Sequence, residues 1–374
     1  MPSSFPPKIL VISDYRDYHS TRPEAAIYLG LARQGFEVTV MTYPEASWIA
    51  EFEAAGVRVV PWHPIRKFDR REVKKIREFL VENEIDILHL YNSVATVNGI
   101  RAARGLSVKV LLYRGYTGNI HWWDPTAYLK YLHPRVDKIV CNSQGVEELI
   151  RRQLFSRTDK PVTIHKGHDV RWYAGYEPYD LRKKFSLPAN ALLLVTVANN
   201  RRMKGVPHLL KAMTLLPEDL PVYLLLIGRD MDTTANLNLL KKSPAREKVI
   251  FTGFRNDVLN FVAGADAFVL PSVKGESLTK SVIEAMCLEV APVITAIPGN
   301  RELVAHGKSG LVVEPGKATA LRDAILWLFN NREAASELGR QARRRIETHF
   351  NTEQTVEKMA ALYRELLDSG QGGS

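Results

Sequence analysis

At 374 residues, 45% hydrophobic and 25% charged, the chain has the composition of a globular protein long enough for two α/β domains. No apolar run approaches the roughly 18 residues of a membrane span, and the two cysteines, Cys141 and Cys287, are too few for a disulfide framework, which points to a reducing cytoplasm. The net charge of +10 admits acidic small molecules, an anionic membrane surface or nucleic acid, and no zinc-ligand spacing or RNA-binding aromatic signature supports the last.

Residues 1–7 lack the basic and apolar regions of a signal peptide, and the apolar run after them reads as a first strand, 8–13. A helix is expected over 22–34, with Thr21 as its N-cap, Pro23 at its start and Gly35 at its end; strand 36–42 follows. Strand 57–61 leads to a basic amphipathic helix, 69–83, and strands 86–91, 109–113, 136–142 and 161–165 complete the series. Basic residues gather at Arg66, Lys67, Arg70, Arg71, Lys74, Lys75 and Arg77, and again at Arg151, Arg152 and Arg157. Such clusters fit a solvated helical face or an anionic membrane surface.

Periodicity is lost over 166–188, which marks a boundary. The rhythm restarts with strand 191–198 and helix 206–216, and runs through strands 222–228, 249–253, 267–271, 291–295 and 310–314 with helices between them. Two long helices, 333–348 and 352–367, end the chain, followed by a Gly/Ser tail, 370–374, that reads as disordered. Strands separated by helices imply parallel sheets covered on both faces. Two doubly wound domains, 1–168 and 169–348, are therefore expected, with ligands at the carboxyl ends of the strands in a cleft.

The chemistry concentrates at one strand-to-helix turn. Glu276 and Glu284 flank the start of the helix expected over 279–287. Backbone N–H groups there, around Leu278, Thr279 and Lys280, carry partial positive charge and suit a diphosphate. Glu276 can then accept from sugar hydroxyls beside the phosphate, and Glu284 can clasp the two hydroxyls of a ribose. Spacing alone also fits an N-cap glutamate and a solvated helical one.

The run Pro271-Ser272-Val273-Lys274-Gly275-Glu276, followed by Glu284-Ala285-Met286, resembles the signature of the retaining GT-B glycosyltransferases of family 4. The resemblance continues through Gly299-Asn300-Arg301-Glu302 and Gly307-Lys308-Ser309-Gly310, and covers nearly the whole chain. It implies a GT-B architecture of two Rossmann-like domains facing across a cleft. Residues 1–168 would be the acceptor side, 169–348 would bind the nucleotide sugar, and 349–369 would cross back to the first domain. By the same resemblance Arg201 and Lys204 contact the donor diphosphate, with Gly228, Phe254, Arg255 and Ser277 near the nucleotide. For Phe254 a packing role of the ring is the preferred alternative. Either Arg114 or His121 would touch the donor sugar, and Trp122 and Trp123 beside them would stack on a sugar, enter a lipid interface or simply pack.

The segment departs from the common pattern. Ser277 and Thr279 replace glycines, Lys280 adds a cation, Glu289 stands where glycine is usual, and the first domain lacks the Gly-Gly loop. Asp266 and His89 read as structural, and Lys166-Gly167-His168-Asp169 as a hinge.

The implied reaction is retaining transfer from a nucleotide-diphosphate sugar, UDP first with GDP or ADP as alternatives, to a glycan, glycolipid or lipopolysaccharide-type acceptor. Glu276, Lys204 and Arg201 would act without a metal or other cofactor, and no nucleic acid would be bound. The expected place is the cytoplasm, peripheral at the inner membrane face. The rival readings are a sugar-nucleotide 2-epimerase or hydrolase of the same fold, and a non-catalytic sugar-nucleotide-binding subunit.

Overall fold

A computed structural model describes residues 6–118 and 120–368. The expected tail at 370–374, the first five residues and Asn119 lie outside them. The chain divides into two compact units, Met1–Gly167 with Phe350–Ser374, and His168–His349.

Unit 1 is built on seven parallel strands: β1 Lys8–Ile12, β2 Glu37–Met41, β3 Arg58–Val60, β4 Ile87–Leu90, β5 Lys109–Arg114, β6 Lys138–Cys141 and β7 Pro161–Thr163. Their order is β3-β2-β1-β4-β5-β6-β7. In β1 nearly every residue is apolar because both faces are covered. Ile9 and Val11 enter one core, and Leu10 and Ile12 enter the other, as the alternation of a strand requires. Register is set by pairs such as Ile9 with Val38 on one side and with Ile87 on the other.

The first helix is Tyr18–Arg33, four residues longer at its start than expected. Asp17, and not Thr21, is its N-cap: the carboxylate accepts from the Ser20 N–H at 2.7 Å, while the Thr21 hydroxyl turns back to Asp17 O. The final helix, Thr352–Asp368, belongs to this unit. Val356, Met359 and Tyr363 join the core of Ile9 and Val11. The Thr355 hydroxyl reaches His165 O at 2.8 Å and accepts from the Gly167 N–H at 3.0 Å, so the returning helix pins the segment that leaves the sheet.

His89 is buried, as its reading as a core histidine expects. Its Nδ1 lies 2.7 Å from the Tyr363 hydroxyl and 3.0 Å from that of Tyr28. Tyr28 donates to Tyr91, so the Tyr363 proton serves His89, whose remaining proton then sits on the partnerless Nε2.

Unit 2 carries six parallel strands: β8 Leu192–Val197, β9 Val222–Ile227, β10 Val249–Gly253, β11 Ala267–Leu270, β12 Ala291–Thr295 and β13 Leu311–Val313. The order β10-β9-β8-β11-β12-β13 reverses at β8, so the loops leaving β8 and β11 flank a switch point. Asp266 is structural here too: it accepts from the Leu193 N–H and pairs with Arg182, each at 2.7 Å.

Candidate functional site

The loops leaving β8 and β11 carry the charged residues that the sequence singles out. After β8 the chain passes Arg201 into a short turn, Arg202–Lys204, closed by Gly205 at φ +68°. A Cβ on Gly205 would lie 1.9 Å from Pro271 O, so glycine is what lets this loop press on the one after β11. The Val273 N–H donates to Met203 O at 2.8 Å and fixes one loop against the other.

That apposition brings two charges together. Lys204 Nζ lies 2.5 Å from Glu276 Oε1, with the side chains only 15% and 11% exposed. Ser272 Oγ donates to the same carboxylate oxygen at 3.1 Å, and Thr279 Oγ1 lies 3.2 Å from the other. Ser272 is itself buried and held by the Thr295 hydroxyl, which donates to its carbonyl. Thr279 also meets Asn300 Oδ1 at 2.7 Å. Glu276 is thus fixed from three elements before any ligand arrives.

Thr279 is the N-cap of the helix Lys280–Cys287 by position, but its side chain does not cap it. The hydroxyl is engaged with Glu276 and Asn300, so it does not accept from the first N–H groups of the helix. One turn in, Glu284 is largely buried, with Lys280 Nζ 3.0 Å from its Oε1. It is thus not a solvated helical glutamate. Each of the two glutamates therefore rests against a lysine, Glu276 against Lys204 and Glu284 against Lys280. Ser277 is buried and Leu278 half-buried in the same turn.

Other candidates divide. Arg201 is exposed beside the turn that holds Lys204. Gly228 ends β9 and donates its N–H to Gly253 O at 2.9 Å. Phe254 does not pack, contrary to expectation: its ring is 58% exposed, with the Arg229 guanidinium 4.8 Å from its centroid. The reason is topological, since β10 is an edge strand. Arg255 is held by Asp257 in a two-point contact of 2.9 and 2.8 Å, and that hydrogen bonding draws the Asp257 carboxyl down to about 2.

In unit 1 the two alternatives separate. Arg114 is fully buried, donating from Nε to Tyr116 O at 3.0 Å and from Nη2 to Gly118 O, with the Tyr116 ring 3.5 Å away. Its guanidinium organises its own loop. His121 is exposed and stacks on Trp123 at 4.8 Å and 7°. Trp122 and Trp123 are both exposed, which removes the simple packing alternative. Ser272, Thr295 and Asn300 were not singled out by the sequence. They are uncharged, and their part is set by the fold. Among the described residues no group of three or more His, Cys, Asp or Glu side chains is placed to hold a metal.

The family model for glycosyl transferases group 1 matches residues 179–345, and that for Glycosyltransferase Family 4 matches residues 26–172. N-acetyl-alpha-D-glucosaminyl L-malate synthase of Bacillus anthracis is 26% identical over 82% of this chain and 81% of its own. The UDP-Gal:alpha-D-GlcNAc-diphosphoundecaprenol alpha-1,3-galactosyltransferase of Escherichia coli is 21% identical over 80% of each chain. The solved structure of Anabaena Alr3699/HepE in complex with UDP superposes with a TM-score of 0.74 at 18% identity, over 98% of this chain and 100% of that one. With one family match falling largely on each unit, and two parallel Rossmann-like sheets beneath them, the chain is a GT-B glycosyltransferase.

Proposed function

We propose that the chain moves a sugar from a nucleoside-diphosphate sugar, UDP-linked in the first instance, to a glycan or lipid-linked acceptor of the polysaccharide or lipopolysaccharide type, with retention at the anomeric carbon. The observation that carries this is the Lys204–Glu276 contact, made by the two loops that flank the strand reversal and set beside a helix start that the Thr279 side chain does not cap. The UDP-bound neighbour and the two relatives, named for sugar transfer or sugar-malate synthesis, support the choice of donor and acceptor class.

A donor diphosphate at the start of the helix Lys280–Cys287 draws Lys204 away from Glu276, because the phosphate carries more charge than one carboxylate. Glu276, still held by Ser272 and Thr279, then accepts from sugar hydroxyls. Glu284 clasps the ribose diol once Lys280 turns to the phosphate. As the bond from the anomeric carbon to the phosphate oxygen breaks, the acceptor oxygen bonds to that carbon on the same face. Its proton passes to the departing phosphate. Lys204, Arg201 and the helix start balance the charge that builds there without a divalent cation.

Incubation with UDP-glucose, UDP-galactose or UDP-N-acetylglucosamine and a lipid-linked acceptor should release UDP and give an axial product by NMR. EDTA should leave the rate unchanged. Glu276→Ala should lower kcat by about 10²–10³ with its circular dichroism intact. Loss of activity in EDTA, an inverted product, or an active Glu276→Ala would refute the corresponding part of this reading.

A further inference from the structure

The loop from β3 into the helix Arg70–Glu82 shows two large apolar side chains to solvent: Ile65 is 72% exposed and Phe68 45%. Phe68 lies at φ +64°, a left-handed conformation that is unfavourable for an aromatic residue. The loop is nevertheless tightly built. Buried Asn98 accepts from the Phe68 N–H at 2.9 Å and donates to Arg66 O at 2.8 Å. Glu72 accepts from the Ile65 N–H at 2.8 Å, from the Arg66 N–H at 3.2 Å and from Asn98 Nδ2 at 2.9 Å. Asp69 accepts from the N–H groups of Arg71 and Glu72.

The acids of this loop are thus turned inward, onto backbone. Its cations are not. Arg66, Lys67, Arg70 and Arg71 are exposed and form no ion pair among the described residues. Arg101 adds a fifth charge, 4.1 Å from the Phe68 ring. Lys130 carries the basic patch further: after burial, the neighbouring charge of Lys67 is the next cause that lowers its pKa.

Water gives no return on a strained loop that holds isoleucine and phenylalanine outward. Nucleic acid would use the cations but not the isoleucine. Apolar tips within a rim of unpaired cations match a surface of lipid headgroups, where the tips reach acyl chains and the cations meet phosphates. We propose that the loop of Ile65 and Phe68 docks unit 1 on an anionic lipid bilayer, with Arg66, Lys67, Arg70 and Arg71 facing the lipid phosphates. This deepens the reading of a lipid-linked acceptor by giving the protein a place to meet it.

The test is co-sedimentation of the full chain with phosphatidylcholine vesicles, with and without about one-third phosphatidylglycerol, at low and high salt. The wild type should bind the anionic vesicles at low salt and leave them at high salt. Ile65→Ser with Phe68→Gly should bind about tenfold more weakly. Because glycine relieves the positive φ, that variant should melt no lower than the wild type, which separates docking from a folding role. Arg66→Ser with Lys67→Ser should lose a similar factor. The proposal is overturned if the wild type ignores anionic vesicles, or if these variants bind unimpaired. It is equally overturned if Trp122→Ser with Trp123→Ser abolishes binding while the loop variants do not, or if the loop binds a short RNA in place of vesicles. No donor enters the assay, so failed docking with sugar transfer intact counts against this surface alone, and docking without transfer counts against the reaction.

Discussion

Lys204 and Glu276 satisfy each other at rest, and this is what makes them informative. Two charges that are largely shielded from water attract strongly only because both are present; removing one strands the other. The pair thus holds both its cation and its carboxylate in place with no ligand bound. His89 shows the opposite treatment of a titratable group. Burial among tyrosines depresses it to about 3, so below pH 6.5 the unfolded chain takes up a proton that the folded chain refuses. Stability from this residue is therefore complete above pH 6.5 and is lost as pH falls toward 3, at about 1.4 kcal/mol per unit. Urea unfolding of unit 1 at pH 7 and pH 5 should show a drop smaller by about 2 kcal/mol in His89→Gln than in the wild type. Equal drops would mean that His89 is not the group responsible. Glu276, Glu284 and Lys204 stood out in the sequence through the family resemblance, since spacing alone fits a capping glutamate and a solvated one equally well; the structure adds that each glutamate rests against a lysine. The hold of Arg114 on backbone carbonyls of its own loop was not legible, because such contacts leave no trace in sequence.

At the scale of elements, the Lys204–Glu276 contact depends on how closely two loops approach. Gly205 combines a positive φ with a backbone carbonyl where its Cβ would be. Gly205→Ala should cost roughly 1–3 kcal/mol of stability in thermal unfolding and weaken nucleotide binding by at least about tenfold, since the shifted loop carries Lys204. Undiminished UDP affinity in that variant would show that the apposition is not needed. Most strands were readable as apolar runs bounded by polar turns. The helix Ser93–Ala102 was not, because its residues are small or polar and give no stripe; the carboxamide of Asn92, which accepts from Val94 and Ala95, is what starts it. The start of the first helix was misplaced for a related reason. Asp17 and Thr21 are both good caps, and only the hydrogen bonds decide between them.

For the molecule as a whole, two independent parallel sheets share one chain that leaves unit 1 after Gly167 and returns to it at Phe350. The division of labour follows from which side chains each sheet positions. Unit 2 holds paired lysines and glutamates suited to a nucleoside diphosphate. Unit 1 holds exposed aromatics and the basic loop of Ile65 and Phe68. The account stands or falls on the first of these. Calorimetric titration of UDP, GDP and ADP into the wild type, Lys204→Ala and Glu284→Ala tests it most directly. The account predicts that at least one nucleotide, UDP foremost, binds the wild type without added metal. Both variants should bind at least about tenfold more weakly, roughly 1.4 kcal/mol or more. Failure of all three nucleotides to bind, or equal affinity in the wild type and both variants, would contradict it.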